Sequence, residues 1–224
     1  MTIAVFRFNR LFSPIPCNNS KKTMSFLSTL AFALGSAWVS GISLYASVAT
    51  LGLLGRFAHL QLPGDLSLLT GWWVIGVAVV LYLIEFIADK IPVVDSIWDA
   101  IHTFIRVPAG AVLAAASFGD FDRSVQVVAF LLGGGLALSS HGTKAAARMV
   151  VNTSPEPATN VAASLAEDGL AVGSVLLAAF YPVLLLIVVV TGLSISLFLL
   201  PRIVRYFRSL LAKLRGTRPA PSEW

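Results

Sequence analysis

The chain is dominated by long runs in which apolar residues follow one another without a polar face. Gly169 to Leu200 is 32 residues without a charge, and Leu66 to Ile84 is a second uncharged run. A transmembrane helix needs about 20 such residues. Stretches such as VLLLIVVV do not alternate apolar and polar positions, as a membrane barrel strand would. The pattern therefore predicts an all-α integral membrane protein, a bundle of about six transmembrane helices.

The expected elements follow from punctuation. A polar tail over 1–23 precedes helix 1, Ser25 to Phe57. Met24 follows KKT directly, so it is a second candidate start. Helix 1 exceeds one span and carries Gly35, Ser36, Ser40, Gly41, Ser43 and Ser47, so a break near Ser40–Gly41 is expected. The loop 58–65 contains Pro63-Gly64-Asp65, a turn signal. Helix 2 is expected from Leu66 to Ile91, with Trp72 and Trp73 in the interfacial belt. Helix 3 should run from Val94 to Phe118 with a kink at Pro108. Helix 4 should run from Ser124 to Val151, helix 5 from Ala158 to Phe180, and helix 6 from Pro182 to Leu200. This makes 24–200 the membrane domain.

Composition agrees with this class. Hydrophobic residues are 57% and charged ones 12%, against about 25% charged in soluble domains. The net charge of +5 sits at the two ends, so it reads as topology and not as nucleic-acid binding. Arg7, Arg10, Lys21 and Lys22 mark one end; Arg202, Arg205, Arg208, Lys213, Arg215 and Arg218 mark the other. Both ends are expected in the cytoplasm of a cell (inner) membrane. That requires an even number of spans: six, or four with re-entrant hairpins. The tail 201–224 reads over 202–215 as a basic amphipathic helix on an anionic leaflet, with a solvated tail as the alternative. Cys17 is the only cysteine, which excludes an intrachain disulfide and a Cys-based metal site.

Apolar length is short in two places. Val107–Phe118 and Gly169–Phe180 are each 12 residues, too few to cross alone. Helices 3 and 5 must therefore carry ionisable residues to membrane depth, facing protein or a polar cavity. Asp95, Asp99, His102 and Arg106 fall within about 60° on one helical face. Glu85 and Asp89 share a face of helix 2. His141, Lys144, Arg148 and Asn152 form a stripe on helix 4, and Asn160, Ser164 and Glu167, with Asp168 beside them, form one on helix 5. Glu85, Asp89, Asp95, Asp99, Glu156, Glu167 and Asp168 are seven acids against Lys90, Arg106, Lys144 and Arg148. The excess acids call for protons or a cation.

Pro92-x-x-Asp95-x3-Asp99-x2-His102 parallels Pro157-x-x-Asn160-x3-Ser164-x2-Glu167. Each precedes an alanine-rich stretch ending in Phe. A faint repeat of two parallel-related polar hairpins, helices 2–3 and 4–5, follows.

The blocks EFIADKIPVVDSIWDAIHTFIRVPAGA (85–111) and HGTKAAARMVVNTSPEPATNVAASLAED (141–168), with SGISLYASVATLGLLGRF near the start, resemble an uncharacterised polytopic membrane-protein family, domain of unknown function 4126. The likeness spans roughly 41–190 and implies no activity.

The residues themselves point to a small secondary transporter or channel. A chamber lined by Glu85, Asp89, Asp95, Asp99, His102, Arg106, His141, Lys144, Arg148, Asn160 and Glu167 would pass a small ionic or polar solute, with the histidines carrying protons. The alternative is a non-transporting protein: a lipid-headgroup binder or scramblase, or an accessory subunit of a larger complex. A membrane enzyme ranks third, since Ser139-Ser140-His141 lacks a nucleophile-elbow context. No cofactor is expected. Asp95, Asp99 and His102 are the candidates for a divalent metal, with a neutralising charge network as the competing reading. Arg106, Lys144 and Arg148 suit a phosphate or carboxylate. The glycine-rich faces of helices 1 and 4 are candidate homodimer contacts.

Overall fold

The computed structural model describes residues 26–152 and 157–216, and among them every regular element is helical. The elements are α1 (Phe26–Phe57), a 3-10 helix (Gly64–Thr70), α2 (Trp72–Ala88), α3 (Pro92–Ser117), α4 (Arg123–Val151), α5 (Pro157–Phe180) and α6 (Pro182–Gly216). Helices α1 and α3–α6 are each long and apolar enough to cross a membrane, and the 3-10 helix with α2 makes a sixth candidate bent by 73°. This is the composition of a multi-pass membrane protein.

The helices are apolar outside and polar within. On α3 the buried positions include Asp95, Asp99, His102, Arg106, Gly110 and Ser117, while Val93, Ile97, Ile101 and Phe104 are exposed. On α4 Gly133, Ala137, His141, Lys144 and Arg148 are buried, and Val127, Leu131 and Leu138 point out. Charged side chains are expelled from lipid into the bundle because water cannot reach them there.

Small residues set the packing. α3 packs most extensively on α4, and α1 packs on α2, α3, α4, α5 and α6. A Cβ at Gly133 would overlap Ala114, and one at Gly110 would lie 2.5 Å from the Ala137 methyl and 3.1 Å from the Ala37 carbonyl oxygen. Backbones approach this closely only without side chains between them. Gly135 has open space instead.

The expected break in helix 1 exists, at Ser43 (φ −146°, ψ 95°). Straight, 32 residues would measure about 48 Å, against a hydrocarbon core of about 30 Å. The chain instead folds back. Phe26 packs on Phe118 and Phe121, ring centroids 5.9 and 6.0 Å apart, at the end of the bundle formed by the α3–α4 turn. Beyond Ser43, Tyr45 meets His102 of α3, and Phe57 packs on Trp72 at 5.9 Å. Gly64, at φ +54°, sits so close to Ala116, Ser117 and Gly119 that no side chain would fit. Both ends of α1 therefore lie at one end of the bundle, and α1 is a re-entrant hairpin.

The structure differs from these expectations in several places. Helix 2 does not begin at Leu66: Gly64–Thr70 forms the bent 3-10 helix, and α2 stops at Ala88 where Asp89 caps it. Hairpins 2–3 and 4–5 are splayed, because α1 fills the space between their arms and the paired helices touch sparingly. Helices α2–α6 run alternately end to end, which puts Phe26 and the end of α6 at opposite ends of the bundle. Helix 6 also continues through Pro201 to Gly216, where a separate surface helix was expected from 202. Residues 1–25, 153–156 and 217–224 lie outside the described residues, and with them the expected N-terminal tail and Glu156.

Single cysteines in a Cys17→Ser background test the fold-back. At Phe26, His59 and Asp120 they should react with an impermeant maleimide from one side of the membrane, and at Lys90 from the other. Labelling of the Phe26 position from the Lys90 side would refute the hairpin. For packing, Gly110→Val should cost about 1–3 kcal/mol by overpacking, seen as a lower unfolding midpoint. Gly135→Ala should leave that midpoint unchanged or raise it.

Candidate functional site

The buried polar positions of α2, α3, α4 and α5 meet beside the break in α1. Arg106 lies at the first focus. Its Nη2 donates to Glu85 Oε1 at 2.5 Å, and its Nη1 to Asp99 Oδ1 at 3.1 Å. The same Nη1 lies 3.2 Å from His141 Nδ1. His141 Nε2 is 2.8 Å from the Thr103 hydroxyl and 3.2 Å from the Asp99 carbonyl oxygen. The Arg106 side chain has no exposure at all.

Arg148 is the second focus. Nε and Nη2 grip both oxygens of Glu167, at 2.9 and 2.8 Å. Such a fork-to-carboxylate bond fixes direction as well as charge. Nη2 also reaches Asp89 Oδ2 at 3.3 Å, and Nη1 donates to the carbonyls of Asp89 and Asn160 at 3.1 and 3.4 Å. Asp95 Oδ1 stands 3.9 Å away, and its Oδ2 accepts from Asn152 Nδ2 at 2.9 Å. Asn152 Nδ2 also reaches the Pro92 carbonyl at 3.2 Å, tying the ends of α3 and α4 together.

Lys144 joins the two foci. Its Nζ lies 3.3 Å from Glu167, 3.5 Å from Asp89, 3.7 Å from Glu85 and 3.9 Å from Asp99. It also donates to the Ile42 carbonyl oxygen at 3.1 Å. That carbonyl precedes Ser43, at the C-terminal end of the first arm of α1. Helix C-termini carry partial negative charge and attract cations. The unravelled backbone of α1 is thereby part of the charge network. Ser140 adds a second link, donating to the Trp38 carbonyl at 2.7 Å.

Five carboxylates (Glu85, Asp89, Asp95, Asp99 and Glu167) face three bases in this network, an excess of two acids. The surplus has a structural trace. Glu85 Oε2, Asp89 Oδ1, Asp95 Oδ1 and Asp99 Oδ2 are buried without a hydrogen-bond partner. Buried charge is costly unless paired, so these four oxygens are the least compensated acceptors of the network. Asp168 lies beside Asp89 and Tyr82 at the margin.

Of the eleven residues expected to line a chamber, Glu85, Asp89, Asp95, Asp99, Arg106, His141, Lys144, Arg148 and Glu167 form the network, and Asn160 joins through its carbonyl. His102 stands apart. Its Nε2 is 3.0 Å from the Tyr45 hydroxyl, its Nδ1 is 2.8 Å from the Trp98 carbonyl, and Trp98 stacks on it at 4.2 Å. The proposed metal set Asp95, Asp99 and His102 therefore does not converge, since each takes a different partner. Among the described residues no group of three or more His, Cys, Asp or Glu side chains is disposed to hold a metal ion. Lys90 is turned away onto the Phe86 ring and carbonyl. The expected anion-holding role of Arg106, Lys144 and Arg148 meets carboxylates already in place on all three.

Sequence reasoning missed Tyr45, Thr103 and the Ile42 carbonyl. Tyr45 is the one tyrosine in the small-residue run of helix 1, and Thr103 sits four residues after Asp99. Either position was open to notice. A backbone carbonyl leaves no mark in composition.

Inward-facing charge, outward-facing apolar surface and a broken re-entrant helix define a multi-pass helical membrane protein built on a buried ion-pair network. The chain belongs to the family described as domain of unknown function (DUF4126), whose model matches residues 30–202. No curated protein and no solved structure matches it.

Removing Arg106 leaves the buried Glu85 and Asp99 with only the Lys144 ammonium, 3.7 and 3.9 Å away, to offset their charge. Arg106→Met should cost about 3–5 kcal/mol, measured by unfolding in mixed micelles. Adding Glu85→Gln should recover a large part of that loss. Additive losses from the two changes would show that the pair is not coupled.

Proposed function

We propose that the protein is a small secondary transporter or channel that moves a small ionic or polar solute through the membrane, coupled to protons. The observation that carries this reading is the surplus of two carboxylates, with four buried oxygens that accept no hydrogen bond, set against an interrupted helix. Interrupted helices at mid-membrane give ions and solutes backbone carbonyls and helix ends to bind. Polar groups buried in membrane-spanning segments are expensive, and where they occur they mark ion pathways and proton relays.

The balance of charge favours a cation or proton over an anion. Each of the three bases already has carboxylate partners, so an anion would have to displace one of them. A proton or cation would instead relieve the surplus. His141, between Arg106 and Thr103, is placed to pass a proton along the first focus. Glu85, Asp89, Asp95 and Asp99 would take up the charge, while Lys144 and Arg148 hold α4 in register with α2 and α5.

The location follows as part of the same proposal. Arg202, Arg205 and Arg208, exposed on the far part of α6, support a cytoplasmic position for that end in a cell (inner) membrane. The Asp89–Pro92 turn would share that side, and the α3–α4 turn would face outward with Phe26.

Flux into proteoliposomes tests the reading. The full chain should dissipate an imposed pH gradient or a sodium or potassium gradient faster than protein-free vesicles. Asp99→Asn, nearly isosteric, should slow that flux at least tenfold while the protein stays monodisperse. Rates equal to those of empty vesicles for protons and both cations would overturn it.

A further inference from the structure

A lateral groove of about 450 Å³ opens between α1, α4, α5 and α6. Its walls are Trp38 and Ile42 of α1, Thr143 of α4, Leu170 of α5, and Ile187 and Ile195 of α6. Leu170, Ile187 and Ile195 are also exposed on the outer surface, so the groove faces the hydrocarbon of the membrane. Two charged side chains reach it, Lys144 and Glu167, and both belong to the ion-pair network. Glu167 is the most exposed network acid: its side chain is 18% accessible, against 4% or less for Glu85, Asp89, Asp95 and Asp99.

These facts constrain an occupant. The body must be apolar, because the walls are. Its size is that of one drug-sized molecule, since pockets for such ligands span about 300–1,000 Å³. Its charge is set by the network. The Lys144 side chain is only 3% accessible, and its ammonium stands within 4 Å of four carboxylates. The network's excess of two acids over bases favours a positive head over a negative one at the groove floor. Hydroxyls of Thr191 and Ser196 lie along the α6 wall and add no charge. A second groove, of about 490 Å³ between α1, α2 and α3, has no charged side chain in its lining and lacks this selectivity.

We infer that the groove between α4, α5 and α6 is a binding site for a lipophilic cation, an ammonium or phosphonium head on an apolar body, which reaches the ion-pair network from the membrane. The inference rests on the transporter reading and names the class of solute. The cation docks with its charge toward Glu167 and its apolar groups against Trp38, Leu170 and Ile187.

The test uses two probes of one shape and opposite charge, tetraphenylphosphonium and tetraphenylborate, with the full-length chain in nanodiscs. Tetraphenylphosphonium should bind saturably, and at least tenfold more tightly than tetraphenylborate after subtraction of empty nanodiscs. Thr191→Trp, which fills the groove from its exposed α6 wall, should weaken that binding at least tenfold. Val190→Trp, on the outer face of α6, should leave it unchanged. Equal or tighter binding of the borate, no saturable binding, or insensitivity to Thr191→Trp would overturn the inference. So would a two-chain phospholipid that co-purifies, is lost in Thr191→Trp and resists displacement by the phosphonium. Proton or metal-cation flux without binding of the phosphonium would refute the groove alone. Binding without any flux would refute the transporter reading alone.

Discussion

The structure depends on one constraint: ionised side chains on membrane helices must find partners inside the bundle. Arg106 and Arg148 are each held by at least two carboxylates, and Lys144 lies between the two groups. The remaining features serve this core. Gly110, Gly133 and Gly41 bring backbones close enough for short ion pairs to form. The outer faces carry Val, Ile, Leu and Phe because lipid is their solvent. The net worth of such a core is modest, since desolvation offsets much of the Coulombic gain. What it fixes is register: α2, α3, α4 and α5 have one relative position in which all the pairs close.

The break at Ser43 belongs to the same design. A straight α1 would overshoot the bilayer, and its interior would offer no free acceptor. Folding back ends one helical arm in the middle of the protein, where Ile42 presents its carbonyl to Lys144. The run of serines and glycines from Gly35 to Ser47 permits this. Ser36, Ser40 and Ser47 bond to carbonyls three or four residues back, so their hydroxyls stay satisfied in a crowded core. α1 thereby becomes the wedge that separates the arms of the sequence-adjacent hairpins.

Much of this was legible in the sequence. The polar stripes of helices 2–5 follow from helical spacing alone, and the 12-residue apolar runs show that those stripes must sink below the surface. The family resemblance agrees with the family match. The direction of α1 was not legible. Hydropathy records that a segment prefers lipid but not whether it leaves by the side it came in, and a single extended residue at Ser43 decides that. His102 illustrates a second limit. It shares the stripe of Asp99 and Arg106, yet Tyr45 from the returning arm of α1 claims it. Partners from a re-entrant segment are invisible until its path is known.

The three residues that α4 contributes to the network, His141, Lys144 and Arg148, lie on one ridge of one rigid helix. Their counterparts are spread over α2, α3, α5 and the carbonyl end of an α1 arm. A turn of α4 about its own axis would carry all three away at once, whereas a small translation would loosen each only slightly. Intermediate rotations leave charges bare in a medium that cannot solvate them. The helix is thus held at a single angular setting, and its three contacts are made or lost as one.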